Sequence, residues 1–221
     1  MKIILNRSSA EITVKKSRFI ADVSPVVTAQ EAYDFLATVK KKYWDARHNC
    51  HAFVVGQDGE TAHSSDDGEP QGTAGKPILQ VLTGSGVSNC IIVVTRYFGG
   101  VLLGTGGLVR AYTEAAKAGL ASCTIAEKKA GFLLRVRSDY EMVGKIQYLA
   151  ASSSLTVTDT SYTDVCETEI LVPDSQLREI EAAVREKTAG RASILGENKV
   201  TYISTEDGRI RDIRRESAEK Q

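Results

Sequence analysis

The chain has 221 residues, 42% of them apolar, and carries 28 basic residues against 28 acidic ones. That length and composition fit one large globular domain or two small ones; they exclude disordered and fibrous classes, and zero net charge is unlike a strongly basic nucleic-acid binder, leaving a local patch as the route to any such contact. Cys50, Cys90, Cys123 and Cys166 are scattered with no CxxC pair, and no apolar run approaches a membrane span, so a soluble, reducing, cytoplasmic protein without a zinc knuckle, a disulfide framework or a membrane partner is expected.

Residues 11–24, EITVKKSRFIADVS, give two short β-like runs around Lys15-Lys16-Ser17. The tetrapeptide TAQE then forms a capping box, with Thr28 as the cap and Glu31 reaching back. Ala32, Phe35, Leu36 and Val39 follow at helical spacing, and Lys40-Lys41-Lys42 suits the negative end of the helix dipole. Residues 49–56 read as a strand. The loop 66–77, DDGEPQGTAGKP, holds too many glycines and prolines for helix or strand, and a short helix is expected around 78–82. Residues 89–98 are apolar on both faces, as in a buried central strand. A second glycine loop, 99–107, opens a helix with Leu108, Ala111, Tyr112, Ala115 and Gly119 on one face.

Near residue 130 the character changes, with Glu127-Lys128-Lys129 reading as a connector. Beyond it the pattern is strand 131–137, helix 140–151, strand 154–161, strand 164–172, helix 174–188 capped by Asp174, and strand 198–204. That βαββαβ order is the ferredoxin-like pattern. Separate cores are expected on the two sides of the connector, with a charged, frayed tail over 206–221. Residues 1–130 hold 15 bases and 12 acids, and residues 131–221 hold 13 and 16, so the first half is the better candidate for a nucleic-acid contact.

Several chemistries are tested by the two glycine loops. A Walker loop needs a glycine where Pro70 stands and a hydroxyl where Pro77 stands, so an ATPase P-loop is rejected. GTGGLV, 104–109, lacks the third glycine of the dinucleotide fingerprint. A glycine turn opening a helix still offers free N–H groups to an anion, with Arg96 and Arg110 on either side in sequence. The same residues also read as a tight strand-to-helix turn with surface arginines. Asp66, Asp67 and Glu69 do not alternate as calcium ligands do, and Asp67-Gly68 and Glu69-Pro70 are good turn chemistry. His48 and His51 fall on opposite faces of a strand, which argues against one shared metal, and no Cys-His dyad or catalytic serine stands out.

Together, DDGEPQGTAGKPIL (66–79) and VVTRYFGGVLLGTGGLVRAY (93–112), in that order and spacing, closely resemble the IMPACT family in its bacterial, YigZ-like form. The resemblance is strong over residues 1–130 and is one of pattern beyond. It implies an α+β protein of two domains. The first, 1–128, would have the left-handed βαβ fold of a ribosomal-protein domain and of domain IV of the translocating elongation factor. The second, 129–205, would be ferredoxin-like, similar to domain V of that factor. Eukaryotic relatives modulate the kinase pathway that restrains translation initiation by binding its activator. The expected function is therefore a non-enzymatic, translation-associated regulator that binds RNA or the ribosome, without metal or cofactor. The expected anion or nucleic-acid site is Arg96, Arg110, Gly99, Gly100, Gly104, Gly106 and Gly107, beside a rigid signature loop of Asp66, Asp67, Gly68, Glu69, Pro70, Gly72, Thr73 and Gly75. The competing readings are an enzyme acting on a phosphorylated small molecule or nucleotide, and a pure protein-binding module.

Overall fold

The computed structural model describes residues 1–56 and 59–215. They fall into two compact units, the first Met1–Glu127 and the second starting at Lys128. Both mix helices with antiparallel sheet.

In the first unit a five-stranded sheet runs in the order β2-β3-β6-β4-β5. Its strands are β2 (Ser8–Val14), β3 (Ser17–Pro25), β4 (His48–Val55), β5 (Thr61–Ser65) and β6 (Cys90–Tyr97). Strands β3 and β4 are each antiparallel to β6 between them, so they run parallel to one another and need the crossover helix α1 (Ala29–Lys42). The capping box starts that helix: the Glu31 N–H donates to Thr28 Oγ1 at 3.1 Å, while the Glu31 carboxylate accepts from the Val27 N–H, one residue before the cap. Strand alternation splits β6 between two cores. Ile91 and Val93 pack with Leu36 and Val39 of α1. Cys90, Ile92 and Val94 pack with Ile78 and Leu82 of α2 (Gly75–Ser85) and with Ala111 and Tyr112 of α3 (Gly104–Ala121). Gly119 lets α3 approach β3; a Cβ there would stand 2.9 Å from the side chains of Ala21 and Val23.

The second unit contains β7 (Ile125–Ser138), α4 (Tyr140–Ser152), β8 (Thr156–Tyr162), β9 (Cys166–Pro173), α5 (Leu177–Lys187), β10 (Ser193–Thr205) and β11 (Ile210–Arg215). The first three residues of β7 belong to the first unit, where they pair with β1 (Lys2–Ile4); from Gly131 onward β7 pairs with β9. The order β10-β7-β9-β8 is that of a ferredoxin-like βαββαβ sheet, with β11 added outside β10. Val136, Ile146, Leu149, Ile170 and Ile180 share one cluster, and Leu133 and Leu171 join Val200 and Tyr202 in another.

Four features differ from the sequence reading. The supposed connector Glu127-Lys128-Lys129 is part of β7: Glu127 pairs with Lys2 of β1, and the strand continues through both lysines. The tail expected to fray from 206 instead forms β11, since Ile210 and Ile213 pack on the Leu133–Tyr202 cluster; residues 216–221 of that tail lie outside the described residues. Asp174 opens a 3-10 turn rather than capping α5, which starts three residues later. Lastly, α2 and α3 begin inside the expected loops, at Gly75 and Gly104.

Candidate functional site

Register brings the two glycine loops to one end of the first sheet. His48, at the start of β4, lies opposite Arg96 near the end of β6, and β5 returns so that Ser65 faces His51. The loop leaving β5 and the loop leaving β6 therefore emerge together. Phe19, Arg96 and His48 are neighbours across three strands, on the face covered by α2 and α3.

The loop 66–74 is held by its own acids. Asp66 accepts the N–H groups of Gly72, Ala74 and Gly75 at 2.8, 2.9 and 2.8 Å. Two of these open α2, so Asp66 occupies the anion position at that helix start. Burial pushes its carboxyl up, but these three donors outweigh it and hold Asp66 below the usual aspartate range. Asp67 adopts φ 42° and ties the loop to its neighbours, accepting from Lys40 Nζ at 2.9 Å and from the Asn49 N–H at 2.7 Å. Burial again raises its pKa, while Lys40 and the Asn49 N–H bring it below normal. The Asp67 carbonyl lies 3.0 Å from His48 Nδ1.

Glu69 points inward. Its Oε1 accepts from Arg96 Nη1 at 2.7 Å and from the Tyr112 hydroxyl at 2.8 Å, with the Glu69 and Arg96 side chains 3% and 8% exposed. Cys50 Sγ lies 3.3 Å from the same hydroxyl and 2.9 Å from the Asp66 carbonyl. Burial drives the Tyr112 phenol upward and lifts the Cys50 thiol to about 12, which favours the protonated form of both at neutral pH. This network joins the signature loop to β4, β6 and α3.

The start of α3 is different. Its N-cap, Leu103, contributes no side-chain cap, and Gly104, Thr105 and Gly106 are exposed. Gly100 and Gly104 hold φ 82° and 69°, which favour glycine. Gly99 packs on the β2–β3 hairpin: its N–H donates to Ser17 Oγ at 3.1 Å, and a Cβ would meet the Lys16 carbonyl carbon at 2.0 Å. That hairpin turns through Lys15 and Lys16, exposed and both left-handed at φ 45° and 69°. Such a two-residue turn favours Asn-Gly, so two lysines there sit against backbone preference.

A model of the Impact N-terminal domain matches residues 15–120, and one described as a domain of unknown function, DUF1949, matches residues 136–191. The IMPACT family member YvyE of Bacillus subtilis (strain 168) is 37% identical over 202 residues, 91% of this chain and 93% of that protein. The chain belongs to the IMPACT family. Another IMPACT family member, YigZ of Escherichia coli (strain K12), is 35% identical across 82% of this chain and 90% of its own. A solved structure described as a crystal structure of an hypothetical protein is 33% identical, covers 88% of this chain and 96% of its own, and superposes with a TM-score of 0.56.

In this IMPACT-family chain the expected site residues separate into two groups. Gly99, Gly100, Gly104, Gly106 and Gly107 lie together at the α3 start, and Arg110 is exposed on the next turn. Arg96 is not a surface arginine; strand alternation turns it inward onto Glu69, which neutralises it. The signature loop is tied down by its own contacts: Asp66 caps, Asp67 ties, Glu69 pairs, Thr73 Oγ1 donates to the Pro70 carbonyl, and Gly68 and Gly72 supply left-handed turns. Gly75 meets Ser65 backbone at 2.7 Å where its Cβ would be. Among the described residues no three His, Cys, Asp or Glu side chains are placed to hold a metal, and no helix is long and apolar enough to cross a membrane. Sequence reasoning missed Lys15, Lys16, Trp44, Arg47 and Phe98, which cluster at this end of the sheet through the β2–β3, α1–β4 and β6–α3 connections. The interleaved bases and aromatics of KKKYWDAR (40–47) were the signal available.

Proposed function

We propose that this chain is a translation-associated regulatory protein that works by binding RNA or the ribosome through the exposed end of its first sheet, in the cytoplasm and without a cofactor. Family membership supports the translation link. One structural observation carries the binding mode: two glycine loops open two helices side by side, and only one helix start is closed by the protein's own carboxylate. Asp66 fills the α2 start, whereas the α3 start is uncapped, glycine-lined and bordered by the Lys15-Lys16 tip. Free N–H groups and lysines attract phosphate oxygens. The neutralised Arg96 acts as a support for Phe98 and Glu69 rather than as a phosphate ligand.

The test is co-sedimentation of the purified protein with ribosomes at low and at high salt. Pelleting at low salt that high salt reverses is the expected result, because the contact is mainly electrostatic. A protein that stays in the supernatant at low salt overturns the ribosome reading. The same titration with free single-stranded RNA then decides whether RNA binding survives without it.

A further inference from the structure

We propose that the cavity beside Phe98 seats one unpaired nucleobase of a single-stranded nucleic acid. The inference rests on the RNA-binding reading above and narrows it to a strand with accessible bases.

Asp45, Arg47, His48, Arg96, Phe98 and Leu102 line a cavity of about 540 Å³ at the mouth of the sheet. That volume suits a nucleoside-sized group. Two apolar side chains stand in the open there, Phe98 at 58% and Leu102 at 82% exposure. The Arg96 guanidinium lies over the Phe98 ring, 5.7 Å from its centroid, and supports it from one side. Exposure of the ring leaves surface on which a planar partner stacks, as bases do on aromatic side chains. Arg96 is itself 8% exposed, yet Glu69 takes only Nη1, and Nε is buried with no partner among the described residues. A buried guanidinium with an unused donor nitrogen beside a cavity is short of a hydrogen-bond acceptor.

Charge decides what enters. Arg47 and Arg96 are balanced by Asp45 and Glu69, so the cavity does not concentrate phosphate. It favours an uncharged ring carrying both donors and acceptors. The Asp45 carboxylate accepts the Tyr97 hydroxyl through Oδ1 at 2.7 Å, which leaves Oδ2 to accept from a base N–H. The Arg47 guanidinium donates to ring nitrogens and carbonyls. The phosphates of the same strand fall to the Lys15-Lys16 tip. A duplex cannot offer its bases this way, because they are stacked and paired.

The experiment measures binding of fluorescent single-stranded oligonucleotides by anisotropy, comparing a base-bearing strand with an abasic strand of equal length and charge. Wild type, Phe98→Ala and Phe98→Trp are compared with each. The cavity reading expects the wild type to bind the base-bearing strand at least about tenfold tighter than the abasic one. It expects Phe98→Ala to erase that difference and Phe98→Trp to keep it. Equal wild-type affinity for both strands, or a Phe98→Ala variant that still discriminates, overturns the base seat while leaving RNA binding in place. No binding of either strand by the wild type overturns both. Phe98 is exposed, and retention of abasic-strand affinity by Phe98→Ala verifies that the variant is folded.

Discussion

Three sets of residues at the loops make sharp statements about stability. Asp66 alone accepts three backbone N–H groups, so Asp66→Ala leaves them without that acceptor and uncaps α2. A loss of about 1–3 kcal/mol is expected, read as a lower urea midpoint. The sign of its pH dependence follows from the lowered pKa. The Asp66 contribution is fully present above the ordinary aspartate value of 3.8 and is lost as pH falls through the still lower folded value. Acid titration of the wild type and Asp66→Ala should therefore converge only in strong acid. Gly99 and Gly106 form a second contrast. A Cβ on Gly99 would stand 2.0 Å from Lys16 backbone, whereas one on Gly106 meets nothing within 4 Å. Gly99→Ala should destabilise by about 2 kcal/mol or more through forced backbone movement, and Gly106→Ala should stabilise by about 0.5–1 kcal/mol. Equal melting shifts for the two would refute the packing of the hairpin on the loop. The buried pair gives the third. Glu69→Ala strands Arg96 in a buried position and should cost about 3–5 kcal/mol. Adding Arg96→Met should recover part of that loss, which a double-mutant cycle measures.

At the scale of elements, edge strands carry more of the fold than their sequences advertise. β11 lies outside β10 and brings Ile210 and Ile213 onto Val200 and Tyr202. Ending the chain after Thr205 should lower the stability of the second unit by about 2 kcal/mol, since two partly buried isoleucines lose their contacts. Hydrogen exchange along β10 checks this directly: unchanged protection of Val200 and Tyr202 in the truncated chain would show that β11 contributes nothing. The same element explains why the sequence was only partly legible. Helix α1 was readable from its cap and spacing, and β6 from being apolar on both faces, because buried elements write their period into the chain. β5 (Thr61–Ser65) is polar, and residues 61–63 are exposed; β1 is three residues long; β11 is mostly charged. Edge positions make no demand for an apolar pattern, so β1 and β5 were not picked out as strands and β11 read as tail. The site was legible only as two loops. What joins them, Glu69 to Arg96 and to Tyr112, spans 27 and 43 residues and depends on strand register and on the face α3 presents. No local motif encodes such a pairing, and an arginine turned inward by alternation looks the same in sequence as one turned out.

Across the whole molecule, equal numbers of acids and bases mean that long-range attraction to a polyanion is weak and that binding rests on a few local charges. The Lys15-Lys16 tip is the most direct test, because there stability and binding pull in opposite directions. Both lysines hold left-handed backbone that Asn-Gly would adopt more readily. Replacing them with Lys15→Asn and Lys16→Gly should raise stability by about 1 kcal/mol, as the backbone strain is relieved. If each lysine meets one phosphate of single-stranded RNA, the same double variant should flatten the slope of log affinity against log salt by about 1.4, at about 0.7 per lost contact. Arg110→Ala should remove about one contact more, and Arg96→Ala should act through stability instead, because Arg96 is paired within the fold. The measurements are a salt titration of RNA affinity and a urea titration for each variant. A more stable double variant with the wild-type salt slope would place the phosphate contacts elsewhere, and leave the two strained lysines without the role that justifies their conformation.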